Sequence, residues 1–260
     1  MSPTDVHHLL GLLAIGAART IPIVWSIPVF GGPHLPGQIR LAMGIGLSFL
    51  CLPVLASGAP TGGVVLWGLL LAREVMVGIV MGFVGACMFR AAEAAGHLTD
   101  VLRGASMSEA LSPMGAGKSS PLGALMILLA VVVFFEIGGP VHLTAALARS
   151  YEAIPLASPM GFAGSPHAMA MVAVAASAKL IESAIGLCAP ALVALLLADI
   201  VLGMVGRAVP QIPLYFIGLP LKALLGVGAV LLGLASTDIA LQSGFRVFFD
   251  LLGALFPIRP

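Results

Sequence analysis

Charge is what this chain has least of. Asp, Glu, Lys and Arg make up 9% of its 260 residues, against roughly 25% in an ordinary soluble domain, and aromatic residues make up 6%. With 60% hydrophobic residues and a mean hydropathy of +1.12, the chain needs lipid or a large protein assembly as its solvent, which excludes a free-standing soluble domain. Clustered charge is missing too. Twelve basic and eleven acidic side chains are scattered singly to a net +1, giving neither a basic patch for nucleic acid nor a polybasic anchor for anionic lipid. Cysteine is scarce: Cys51, Cys87 and Cys188 lie far apart among apolar residues, so they read as small buried hydrophobes and not as a disulfide framework or metal clip. The first apolar segment, VHHLLGLLAIGAAR, follows Asp5 without a preceding Lys or Arg and without a small-residue cleavage site at the right distance, so it reads as a retained segment.

Long uninterrupted apolar runs are also few. Leu41 to Ala72 carries no ionised side chain, but Pro53 and the turn-like SGAPTGG at 57–63 divide it. Elsewhere Arg19, Glu136, Lys179, Glu182, Asp199 and Lys222 fall inside apolar segments. Such a charge costs about 2.5–3.5 kcal/mol at the centre of a lipid-facing helix, whereas a leucine returns only about 0.5, so the polar sides of these segments must meet protein or water. Glycine (32) and proline (19) are abundant, and Pro22, Pro28, Pro140, Pro190 and Pro220 interrupt apolar stretches, so kinked or broken helices are expected. The pattern predicts helices over 5–27, 38–56, 63–104, 121–150 with a break at 138–140, 165–207 with a kink near Pro190, 213–236 and 238–255. The expected fold is all-α, a single domain over 1–260 of packed helical hairpins, with a central loop at 104–120 and an amphipathic segment at 238–255 that carries Asp238, Gln242, Arg246 and Asp250 on one side.

One helix face is polar. Arg90, Glu93, His97, Asp100 and Arg103 fall within a sector of roughly 140° at 100° per residue, and Arg73 and Glu74 extend the polar run toward the start of the same helix. Two readings are open, a ladder of intersubunit ion pairs and a water-lined conduit, and general experience with intramembrane charges favours the first. Gly78 and Gly82 form a GxxxG face that permits close helix approach.

Catalytic signatures are missing. Glu93 and His97 lack the second histidine of HExxH, and His7, His8, His34, His142 and His167 have no ligand spacing. GAGKSS at 115–120 resembles the end of a phosphate loop, but Ser112 stands where the first glycine is required and no strand precedes it. No nucleophile elbow or Cys/His constellation occurs. Neither enzymatic activity nor a metal or cofactor is expected.

The central stretch RGASMSEALSPMGAGKSSPLG reads as a loop. Gly104, Pro113, Gly115, Gly117 and Pro121 prevent a continuous helix, and its serines solvate the backbone. Ser120 and Pro121 suit the N-cap and first turn of the helix that follows. A plain connector is the alternative to a working loop.

Three blocks carry a family resemblance: ARTIPIVWSIPVFGGPHLPGQIRLAMGIGLS with Arg19, Pro28, Pro36 and Arg40; HLTDVLRGASMSEALSPMGAGKSSPLG; and APALVALLLADIVLGMVGRAVPQIPLYFIGLPLK with Asp199, Gly203, Arg207, Pro210, Gln211, Gly218, Pro220 and Lys222. Together, over about residues 13 to 232, they resemble the SctT/FliR family of type III secretion and flagellar export apparatus, the injectisome branch more than the flagellar one. Pro213 stands where that family usually has asparagine, which removes a side-chain amide and a backbone donor. The resemblance implies a non-enzymatic, single-copy subunit of a helical pore-forming export gate in the base of a bacterial inner-membrane secretion apparatus. It implies as partners the multi-copy pore subunit, the small two-helix subunit, the switch protein, membrane lipid and exported unfolded proteins, with no nucleic acid. It also implies that the central loop projects into the lumen and helps close it, with Met107, Leu111, Pro113, Met114, Gly115 and Gly117 in the plug. A small-solute or ion transporter is the alternative, since broken helices and intramembrane charges suit it equally.

Overall fold

The computed structural model describes residues 3–30, 35–55, 63–105, 120–155, 166–209, 211 and 214–256, and among them every regular element is helical. In chain order these are α1 (Pro3–Ser26), a 3-10 turn (Pro28–Phe30), α2 (Gly37–Leu50), α3 (Leu52–Leu55), α4 (Val64–Leu102), α5 (Pro121–Glu136), α6 (Gly139–Ala153), α7 (Pro166–Ala208), α8 (Leu214–Leu232) and α9 (Leu234–Leu255). The all-α expectation holds, including its broken helices. Among the described residues two helices, α4 and α7, are long and apolar enough to cross a membrane; α5 with α6 and α8 with α9 each add one candidate span if a bent pair counts as one. At 1.5 Å per residue the 39 residues of α4 reach roughly 58 Å, well beyond a hydrocarbon core of about 30 Å.

The breaks follow local chemistry. Between α5 and α6 the chain turns by 72° at Gly138, whose φ of 72° lies in the left-handed region that glycine enters without a Cβ penalty. The expected helix over 38–56 divides at Cys51, and Pro53 in the short α3 cannot supply the backbone donor that would continue α2. The break expected near residue 237 falls instead at Gly233, where α8 and α9 meet at 59°. Thr237 returns both its backbone N–H (2.8 Å) and its hydroxyl (2.9 Å) to Gly233 O, so residues 234–237 join α9 as its first turn.

The chain divides into two compact units, and each boundary lies within a helix. The first comprises Met1–Cys87, Phe135–Ala178 and Arg246–Pro260. Here α1 is the hub. Its contacts with α2 run antiparallel: Ser48 donates to Leu13 O at 3.2 Å and Thr20 donates to Gly44 O at 2.7 Å. Its contacts with α4 run parallel, Gly78 against Arg19 and Gly82 against Pro22 and Ser26. A Cβ on Gly78 would overlap the Arg19 carbonyl, so the GxxxG face of α4 is filled by α1 of the same chain.

The second unit comprises Met88–Phe134 and Lys179–Phe245. Phe89, Phe134 and Phe245 form an aromatic centre with ring centroids 5.0 to 5.6 Å apart in tilted and edge-on contacts. Within this unit α4 and α5 form an antiparallel hairpin in which a Cβ on Gly96 would overlap the backbone of Leu122. A second antiparallel hairpin joins α7 to α8, with Asp199 beside Lys222 and Leu202 beside Gly218.

Candidate functional site

Two polar clusters stand out in a chain so poor in charge. The first is wholly enclosed: Arg19 and Glu74 are both 0% exposed and Arg73 is 6% exposed. An arginine can be buried only where its charge and donors are answered. From α1, Arg19 places Nε and Nη2 at 2.6 Å from Glu74 Oε2, donates Nη1 to Ser150 Oγ at 2.9 Å and Nη2 to Ile154 O at 3.2 Å. Its guanidinium lies 4.1 Å from the centre of the Tyr151 ring, and Tyr151 donates its hydroxyl to Gly16 O at 2.9 Å. Glu74 uses its other oxygen to accept from Arg73 Nη2 at 2.8 Å, and Arg73 Nη2 also donates to Pro155 O at 3.3 Å. One carboxylate thus holds two guanidiniums, and the cluster ties α1, α4 and the C-terminal end of α6 into one junction. Nearby Cys51 is buried, which pushes its thiol up, with the Arg19 charge pulling the other way. All three cysteines are buried and free.

The second cluster joins the two ends of the central loop. Asp100 Oδ1 accepts from Arg103 Nε at 2.7 Å, while Oδ2 accepts from the Ser120 hydroxyl at 2.5 Å and from Leu122 N at 3.0 Å. Ser120 Oγ in turn accepts from Gly123 N at 2.9 Å, the N-cap bond expected of it, and Pro121 opens α5. The Asp100 carboxylate therefore complements the positive end of α5 while its own helix ends two residues later at Leu102. The chain turns out of α4 at Gly104, φ 83°.

The polar stripe of α4 thus has buried ends and an open middle. Arg73 joins the first cluster, Asp100 and Arg103 the second, while Arg90 and Glu93 pair at 2.8 Å in solvent and His97 is exposed. Among the described residues its acid–base pairs are Arg73–Glu74, Arg90–Glu93 and Arg103–Asp100. Lys222 Nζ meets Asp199 Oδ1 at 2.7 Å across the α7–α8 hairpin, with the lysine side chain 19% and the aspartate 49% exposed. Gly203, Arg207, Gln211 and Pro220 are exposed, and Pro28 is half-buried in the 3-10 turn. The half-buried Arg40 sets its guanidinium 5.5 Å from the Trp25 ring and has a buried Nε without a hydrogen-bond partner. Met107, Leu111, Pro113, Met114, Gly115, Gly117 and Pro210 lie outside the described residues.

The sequence placed Arg73 with Arg103 on one polar helix and left Arg19 apart; the structure brings Arg19, Arg73 and Glu74 together and adds Ser150 and Tyr151. A buried arginine's need for a counter-charge could have pointed to the ArgGlu pair at 73–74. Nothing in the sequence marks Ser150.

Residues 10–247 match the family described as bacterial export proteins, family 1. The chain is 27% identical over 251 residues to the "Surface presentation of antigens protein SpaR" of Salmonella typhimurium, covering 96% of this chain and 92% of that protein. It is similar to the "Yop proteins translocation protein T" of Yersinia pestis, 31% over 155 residues and 60% and 59% of the two chains. It also resembles the "Flagellar biosynthetic protein FliR" of Pectobacterium carotovorum, 24% over 235 residues and 90% and 88%.

Proposed function

This chain belongs to family 1 of the bacterial export proteins, and from that membership we propose that it is a non-enzymatic subunit of a type III protein-secretion export gate, of the injectisome kind, in the bacterial inner membrane. The observation that carries this reading is the extent of the family match, residues 10–247, which takes in every described helix in whole or in part. The proposed partners are the multi-copy pore subunit, the small two-helix subunit and the switch protein, and the cargo is unfolded polypeptide.

The surface of α7 supports assembly. Only 22% of its most apolar stretch is buried, against 61% in α4, and Val193, Leu197, Ile200 and Met204 are each more than half exposed. Soluble monomers rarely show so extended an apolar face, so partner subunits or lipid must cover it. Co-expression with the other export-apparatus subunits tests the reading. The chain is expected to co-purify with them and secretion to stop when it is deleted. A chain recovered only alone or as a homo-oligomer, with secretion intact in the deletion strain, would overturn it.

Within this reading the central loop plugs the closed gate, with Met107, Leu111 and Met114 supplying apolar contacts of at most about 1.5–3 kcal/mol each when fully buried. Contacts of that size seal a pore yet yield to an incoming chain. The Asp100 cluster supports the role, because a displaceable segment needs both of its ends fixed. Replacing residues 105–117 by a few glycines should leave the gate assembled and raise small-solute leak; assembled gates as tight as the parent would refute the plug.

A further inference from the structure

A cavity of about 500 Å³ in the first unit opens between α6 and α9, close to the bend that follows α5. Its walls come from two helix faces with matching periodicity. His142, Ala145, Ala146 and Arg149 recur at i, i+3, i+4 and i+7 on α6, as do Arg246, Phe249, Asp250 and Gly253 on α9. His142 and Phe249 join the walls, their ring centroids 5.0 Å apart. The small residues of each face leave the space open, in the size range of a small-molecule site.

The charge in this groove is unanswered. Arg149 and Arg246 are both exposed, and among the described residues neither makes an ion pair or hydrogen bond. Among the described lining residues Asp250 is the single carboxylate, one helical turn after Arg246, the weaker order for a helical ion pair. Two guanidiniums against one carboxylate leave a net charge of +1 before His142 is counted. Arginine cannot shed its proton, and its planar fork fits a phosphate oxygen pair. The rest of the lining is apolar, and Val141 (70% exposed) and Val247 (38% exposed) continue an apolar surface beside the two basic walls.

We propose that this groove binds the phosphodiester headgroup of an anionic membrane lipid, held by Arg149 and Arg246, with the acyl chains along the neighbouring apolar surface. A phosphodiester carries a single negative charge, which matches the groove, and brings hydrocarbon with it. Free phosphate shares the oxyanion chemistry but leaves the apolar flanks unused. The inference rests on the proposed placement of this chain in the bacterial inner membrane and not on its export role.

The test uses the full chain in neutral detergent, titrated with phosphatidylglycerol, phosphatidylcholine or inorganic phosphate and followed by native mass spectrometry and thermal unfolding. Phosphatidylglycerol is expected to bind and raise the unfolding temperature, while the zwitterionic lipid and millimolar phosphate do not. Arg149→Gln with Arg246→Gln should weaken phosphatidylglycerol binding at least tenfold, and Arg90→Gln should not change it. Because neither groove arginine has a partner among the described residues, the double variant should unfold at the parent's temperature without lipid. Equal binding by parent and double variant, or equal binding of the two lipids by the parent, would overturn the proposal. Stabilisation of the parent by inorganic phosphate as large as by phosphatidylglycerol would reassign the groove to a free oxyanion and sink the lipid assignment. The parent's lipid comparison decides the matter even if the variant fails to fold.

Discussion

Glu74 is the residue on which the first cluster depends, since both of its oxygens are engaged by guanidiniums. Glu74→Gln removes the carboxylate that pairs with the buried Arg19, and breaking a buried pair in this way costs about 3–5 kcal/mol. The checking measurement is thermal unfolding of the purified chain, with Arg90→Gln as the comparison: its pair is about half exposed, so that change should stay within about 0.5 kcal/mol. Equal effects would show that the enclosed cluster does not hold the fold. Asp100→Ala removes a charged acceptor from Leu122 N and Ser120, a loss of about 1.5–3 kcal/mol per charged hydrogen bond. Amide hydrogen exchange at Leu122 and Gly123 should accelerate selectively, with the amides of α9 unchanged.

At the scale of elements, backbone proximity matters more than side-chain volume. Helices α1 and α4 approach so closely that a methyl group at Gly78 meets the Arg19 carbonyl, and α5 meets α4 at Gly96 in the same manner. Gly78→Ala should therefore destabilise the chain by about 1–3 kcal/mol through overpacking, although alanine is the better helix former by about 1 kcal/mol. Gly186 and Gly203 have open space around a would-be Cβ, and alanine there should be neutral or stabilising. Unfolding midpoints of the three variants separate the two classes. A Gly78→Ala variant as stable as Gly186→Ala would show that α1 and α4 do not pack this way.

For the whole molecule, the Asp199–Lys222 pair separates folding from assembly. It is partly exposed, so alanine at either position should cost no more than about 1 kcal/mol of stability. If the pair and Arg207 face partner subunits, the same substitutions should reduce co-purification of the gate by much more than they reduce the amount of folded chain, and exchanging the charges at 199 and 222 should restore part of it. Quantitative pull-down against membrane-inserted amounts checks this. Normal assembly and secretion in Asp199→Ala, Lys222→Ala and Arg207→Ala alike would remove these residues from the interface.

Local chemistry was readable without coordinates. Composition determined the helical, membrane-associated class, because so few charges cannot surround a soluble fold of this length. Gly138 marked a helix break and Ser120 a helix start, since φ preference and capping act within a few residues. The late block with Asp199, Arg207 and Lys222 made the family recognisable. Tertiary structure decided which charges meet. Arg19 and Glu74 are 55 positions apart, Arg19 and Ser150 are 131 apart, and helical periodicity carries no information across such separations. It likewise decided that Arg149 and Arg246, on helices far apart in the chain, share one groove while Arg19 and Arg73 share one carboxylate. A charge in an apolar segment announces that it needs a partner. Which partner it finds depends on how glycines such as Gly78 let one helix approach another, and that is settled only when the helices pack.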